Sequence, residues 1–164
     1  MRDPVASRPS FPEAAPYGAP ATEVGQHTSW PDVRARLVAA DLFWLVTTRQ
    51  DGRPHTVPIG GVWVDDRLWF NTASGTLIDR TLGRDPRAIV HLQSAEDVVI
   101  VEGRAPSVPP GDLRAAVVEA YTARYGGDWH DGWAWFALEA DRALTWSADD
   151  IRNTAVRFDF SREP

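Results

Sequence analysis

The sequence predicts a mainly β domain, a small antiparallel barrel with helices at its flanks, on three observations. Residues 42–103 run as three β-branched and aromatic stretches, then a short helix, then two further apolar stretches. The first three stretches are joined by Asp51-Gly52 and Asp65-Asp66, pairs that connect neighbouring antiparallel strands. Near the C-terminus Val156, Phe158 and Phe160 alternate with polar residues, the period of a half-buried strand. Strands joined by so few residues lie side by side, and about seven of them with three helices make a barrel of this class.

Each element has its own signal. Pro4, Pro9, Pro12, Pro16 and Pro20 stand among Ala, Ser and Gly, so residues 1–25 read as a disordered arm and 26–164 as the domain. Ser29 is a plausible N-cap for a helix with Val33, Leu37 and Ala40 on one face. The first strand spans 42–49, and Asp51-Gly52 supplies positive φ to its hairpin turn. The second spans 54–64; Pro58 cannot donate to a ladder and predicts an edge or bulge, and Gly60-Gly61 a kink or a close approach. The third spans 67–72, followed by a loop and a helix that stops at Pro86. Strands follow at 87–92 and 97–105, then a helix over 110–125 with Leu113, Val117 and Tyr121 on one face, ended by Gly126-Gly127. Residues 133–138, 143–146 and 154–160 read as the last strands.

Composition excludes several functions. The net charge of −6 and the lack of basic clusters argue against nucleic acid as a partner. There is no cysteine, which removes disulfides, zinc thiolates and cysteine nucleophiles, and the four histidines are too scattered for a metal site. No apolar run reaches the length of a membrane span or signal peptide, so a cytoplasmic protein without a membrane partner is expected. Of the eight tryptophans, Trp44, Trp63 and Trp69 lie within strands and are expected to fill the barrel or a subunit interface, whereas Trp146 is a candidate site residue.

The ordered pieces DGRPHTVP, VWVDDRLWFNTASGT, LGRDPRAIVHL and DVVIVEGRA resemble the pyridoxamine 5'-phosphate oxidase-like split-barrel flavoproteins. Within them the chain is most similar to the actinobacterial branch that includes users of the deazaflavin coenzyme F420. The resemblance implies a split barrel and a homodimer with FMN or F420 in a groove between subunits, acting on a small organic substrate. The apolar strands at residues 62–70 are compatible with such pairing. It also implies that His55, Val57, Pro58 and Ile59 line the isoalloxazine region, with backbone groups from 57 to 60 at the ring's polar edge.

Relatives hold the cofactor phosphate at the loop and helix start after the third strand. Here that segment supplies the hydroxyls of Thr72, Ser74 and Thr76 and the charge of Arg80, with Arg157 as a fallback cation in the C-terminal strand. Without the resemblance, Thr76 would be an N-cap and Arg80 a solvated helix residue. The chain departs from the pattern: relatives carry basic residues where it has Leu77 and Ile78, and an asparagine where it has Thr81. Pyridoxamine-phosphate-oxidising members also carry an arginine where it has Val57, which argues against that activity. No spacing supports a nucleophilic triad or a carboxylate pair, so the sequence offers no catalytic side chain. Two readings remain: a flavin- or deazaflavin-dependent oxidoreductase, or a degenerate member acting as a ligand-binding or structural dimer.

Overall fold

The computed structural model describes residues 3–9, 28–127 and 132–160. Its strands are β1 (Val5–Ser7), β2 (Leu42–Thr48), β3 (Pro54–Val64), β4 (Arg67–Ala73), β5 (Arg87–His91), β6 (Asp97–Arg104), β7 (Ser107–Val108), β8 (Trp133–Ser147) and β9 (Val156–Asp159). The α-helices are α1 (Trp30–Ala39), α2 (Leu77–Arg84), α3 (Ala115–Tyr125) and α4 (Ile151–Thr154). Strands pair antiparallel in the order β8-β4-β3-β2-β5-β6, and β6 returns to β8, which closes a six-stranded barrel. The barrel encloses one core in which Phe43, Phe70, Phe136 and Phe158 are fully buried. Among the described residues no helix is long and apolar enough to cross a membrane, and no three His, Cys, Asp or Glu side chains gather as metal ligands.

Two local signals decide entry and turn. Ser29 and Asp32 form a reciprocal capping box, which lets α1 seat Trp30, Val33 and Leu37 in the core. Asp65 and Asp66 have φ of 52° and 57°, so they form the two-residue turn with both positions left-handed. Arg114 and Arg34 neutralise the two carboxylates at 2.7 and 2.9 Å. At the other hairpin only Gly52 has positive φ, and the loop is longer, with Arg49 N–H donating to the Arg53 carbonyl.

The structure corrects several expectations. There are nine strands and, among the described residues, four α-helices, against about seven and three. The separate strands at 133–138 and 143–146 are one strand, β8: the polar interval is a bulge at Asp141, where the register against β6 shifts between Glu102 and Gly103. Gly103 is needed there, because a Cβ would lie 2.0 Å from the Glu139 carbonyl oxygen. The helix over 110–125 is instead a 3-10 turn at 110–112 followed by α3. Val5–Ser7, inside the segment expected as a disordered arm, is a strand that covers the free edge of β9; residues 10–27 lie outside the described residues. Val62, Trp63, Leu68, Trp69 and Phe70 are all buried within the chain, so the strands at 62–70 offer no apolar face to a partner. Trp63, Leu68 and Phe70 point into the barrel, while Val62 and Trp69 face α3 in a second core with Val117 and Ala137.

Candidate functional site

The site arises because β3 changes partners along its length. Residues Gly61 to Val64 pair with β4, whereas residues 54–60 pair only with β2. Beyond Phe70, β4 continues along β8 as Asn71, Thr72 and Ala73 and leaves β3 behind. Among the described residues one edge of β3 therefore has no ladder partner from Pro54 to Gly60, and its backbone N–H and C=O groups face a gap. Pro58 stands in this stretch, as its missing N–H requires.

The gap is a groove of about 530 Å³ lined by Leu42, Pro58, Ile59, Gly60, Asn71, Thr72, Ile78, Tyr121, Tyr125, Gly126 and Trp133. Strand β3 forms one wall and β4 the other; α2 contributes Ile78, and α3 lays Tyr121 and Tyr125 over one end. Among the described residues no Arg, Lys, Asp or Glu lines it. The surface is planar backbone, aromatic rings and one amide, which suits a flat, largely apolar ligand.

Tyr125 explains Gly60-Gly61. Its hydroxyl accepts from the Gly61 N–H at 2.9 Å and donates toward the carbonyls of Asp41 and Gly61, and a Cβ on Gly60 would come within 3.2 Å of its ring. The close approach is thus by the chain's own tyrosine. Tyr121 packs 4.5 Å from Tyr125, centroid to centroid, and donates to Asn71 Oδ1 at 3.1 Å. Burial, then the neighbouring Tyr125, pushes the Tyr121 phenol up to about 12, and burial also pushes Tyr125 up. Both hydroxyls stay neutral donors across the physiological range.

The α2 end is built differently. Thr76 caps the helix by accepting from the Asp79 N–H and pairs with Thr72, Oγ1 to Oγ1, at 3.1 Å. Gly75, with φ of 77°, donates its N–H to Asp79 Oδ2 at 2.7 Å. Arg80 is exposed and donates to the Gly75 carbonyl oxygen.

The structure brings together Pro58, Ile59 and Thr72 at the groove, with Thr76 bound to Thr72 at its edge. Val57 points inward against the core, and His55 shares that inner face opposite Thr47, with its Nδ1 buried and without a hydrogen-bond partner among the described residues. Ser74 and Arg80 are exposed outside the lining. Trp146 pairs with Val98 on the β6–β8 side, and Arg157 lies on β9 bound to Asp159 at 2.9 Å, both away from the groove. Sequence reasoning missed Asn71, Tyr125, Trp133 and Leu42 as lining residues and used Tyr121 only as a core residue. A usable signal was Tyr121 and Tyr125 at i, i+4 beside the helix-ending Gly126.

A family model described as pyridoxamine 5'-phosphate oxidase matches residues 29–151. The chain belongs to that family. No curated protein matches it. Solved structures with the same fold include a conserved hypothetical protein of Mycobacterium tuberculosis, 21% identical, covering 80% of this chain and 92% of that one, with TM-score 0.65. Another is a pyridoxamine 5'-phosphate oxidase-related FMN-binding protein of Nostoc punctiforme, 15% identical over 71% of this chain and 78% of that one, TM-score 0.54. A protein described as an F420 reductase is 16% identical over 66% and 93%, TM-score 0.53.

Set against a flavin-type cofactor, the two ends of this member's groove differ. The ring end fits: a strand edge at residues 57–60 without a ladder partner among the described residues can hydrogen-bond a polar ring edge, and Pro58, Ile59 and Tyr125 supply apolar contact. The phosphate end does not follow the family pattern, because Ile78 enters the groove where relatives place a cation, and Thr81 is buried.

Proposed function

We propose that this chain is an oxidoreductase that binds the ring of a flavin or deazaflavin in the split between β3 and β4 and serves hydride transfer with a small organic molecule. The carrying observation is the groove itself: a flat slot whose described lining carries no charged side chain, edged by backbone of β3 that has no ladder partner among the described residues. When bound, the ring supplies the redox chemistry. Residues 57–60 orient its polar edge, Tyr121 and Tyr125 close one end against water, and the Asn71 amide, held through its Oδ1 by the Tyr121 hydroxyl, is a donor within reach of a substrate. Without an arginine at Val57, pyridoxamine phosphate is not the expected substrate.

We further propose that two copies pair in the cytoplasm through the outer face of β3, β2, β5, β6 and β8. Register places Pro58, Trp44, His91, Ile100 and Leu144 in one row across those strands. Trp44 and Leu42 are 36% and 46% exposed, and Leu42 and Pro58 belong to both this face and the groove, so a second copy seated here would reach the site. Trp44→Glu should convert a dimer to a monomer in sedimentation velocity; a parent that is already monomeric at tens of micromolar removes the pairing.

Fluorescence titration with riboflavin, FMN and coenzyme F420 tests the cofactor. Binding of at least one at micromolar concentration is expected, and binding of none sinks the oxidoreductase. The charge-free lining also favours a second reading, a ligand-binding dimer without catalysis. Ile78→Lys separates a decayed phosphate site from a rebuilt one: it raises FMN affinity tenfold or more in the first case and leaves it unchanged in the second.

A further inference from the structure

We propose that the groove takes a planar ring compound without a phosphate tail, and that Asp79 sets this selectivity. The proposal rests on the groove being a flavin-ring site and concerns which form of the ring it accepts.

An anionic substituent on a ligand in this groove has one natural destination. Thr72 and Ile78 both line it, so the first turn of α2 opens onto it, and a helix N-terminus attracts anions through its unpaired N–H groups. In this chain that place already holds an anion. The Asp79 carboxylate folds back over the first turn and accepts the Gly75 N–H at 2.7 Å, and Thr76 Oγ1 accepts the Asp79 N–H at 3.3 Å. A phosphate arriving at the same turn would meet a fixed negative charge within a few ångströms and would lose the Gly75 donor to it.

Among the described residues no cation lines the groove. The chain has no lysine, so every positive side chain is an arginine. The two arginines nearest in sequence to the lining residues are Arg80 and Arg124. Arg80 donates to the Gly75 carbonyl oxygen and is outside the lining. Arg124 pairs with Asp41 at 3.3 Å and donates to the carbonyls of Val38 and Ala40, which fastens α3 to the end of α1. The described lining thus presents hydroxyls, one amide and rings, and just outside it, at the N-terminus of α2, the Asp79 carboxylate already occupies the Gly75 N–H. A neutral ring satisfies that surface, and a doubly charged phosphate does not.

The test compares riboflavin with FMN, which differ by the phosphate, and uses Asp79→Asn, which removes the charge while keeping an oxygen to accept the Gly75 N–H. Asp79→Glu keeps the charge and serves as the second variant. The parent and Asp79→Glu should bind riboflavin at least as tightly as FMN. In Asp79→Asn, FMN affinity should rise about tenfold while riboflavin affinity stays within twofold. A parent that prefers FMN tenfold, or a riboflavin-to-FMN ratio unchanged by Asp79→Asn, overturns the proposal. A second arm uses inorganic phosphate alone, so it reads Asp79 even if no flavin binds and the oxidoreductase reading falls. In ¹⁵N NMR spectra, millimolar phosphate should shift the amides of residues 75–78 in Asp79→Asn and leave them in place in the parent. Shifts of equal size in both proteins overturn the role of Asp79.

Discussion

The two halves of β3 are made of similar residues and end in opposite conditions. From Gly61 to Val64 the strand has β4 beside it, Trp63 in the barrel core and Val62 under α3, and nothing is left exposed for a ligand. From Pro54 to Gly60 it has β2 on one side only, and its other edge forms a wall of the groove. The switch falls at Gly60-Gly61, where Tyr125 takes the Gly61 N–H and rests on Gly60. A candidate site is made here by withholding one strand pairing and filling part of the gap with a helix.

The closed side should be far less tolerant of added volume than the split side. At Gly103 a Cβ would sit 2.0 Å from a backbone carbonyl oxygen, which cannot give way without moving the bulge. Gly103→Ala should cost about 3 kcal/mol or more in urea unfolding. At Gly60 the obstacle is the tip of the Tyr125 side chain at 3.2 Å, which can shift. Gly60→Ala should cost about 1 kcal/mol or less, and its effect should appear in ligand affinity instead. Equal costs at the two positions would remove the distinction between closed and split sides.

Tyr125→Phe probes the switch point. It strips the acceptor from the half-buried Gly61 N–H and the donor from the Asp41 carbonyl, so a loss of about 1–2 kcal/mol is expected by chemical denaturation. A neutral outcome would mean that water satisfies Gly61 as well as the phenol does, and that α3 is held by Arg124 and the Val117 core alone.

Much of the closed barrel was legible because it rests on local rules. The N-cap at Ser29, the turn at Asp65-Asp66 and the alternation of Val156 and Phe158 with outward residues are each written within a few residues. The missed parts depend on contacts between distant residues. Asp141 looks like a turn until Gly103 on β6 accommodates its bulge, and Val5–Ser7 becomes a strand only because β9 has an open edge. The groove was legible on the β3 side through Pro58 and on β4 through Thr72, but the cover that α3 lays over one end was not. Tyr125 reaches Gly61 across 64 residues of sequence, and a capping aspartate such as Asp79 is indistinguishable in sequence from one that also screens a binding site.

The tyrosine pair gives a pH test of how dry the covered end is. Tyr121 is raised from 10.0 to about 12, first by burial and then by Tyr125, so the folded state holds its proton longer than the unfolded chain. Its contribution to stability is complete below pH 10.0 and is lost as pH rises toward 12. The fall in Tm across that interval should be shallower in Tyr121→Phe. An identical fall in both proteins would place the Tyr121 hydroxyl in water.

The smallest effect is expected at Arg80, the residue that the family resemblance marks as the principal cation for a phosphate. A charge-assisted contact to phosphate is worth about 1.5–3 kcal/mol, so a true phosphate ligand would lose roughly 10- to 150-fold in FMN affinity on truncation. In the fold, however, the Arg80 guanidinium lies outside the groove, tied to the Gly75 carbonyl, while Ile78 holds the inward position on the same helix. Asp79, the preceding residue, already accepts the Gly75 N–H at the turn that Arg80 would serve. Arg80→Ala should therefore change FMN affinity by less than about threefold, with a slight loss of α2 stability from the freed Gly75 carbonyl. A tenfold loss would mean that Arg80 leaves Gly75 to meet the ligand, and the α2 end would then have to be read as a phosphate site that closes around its cofactor.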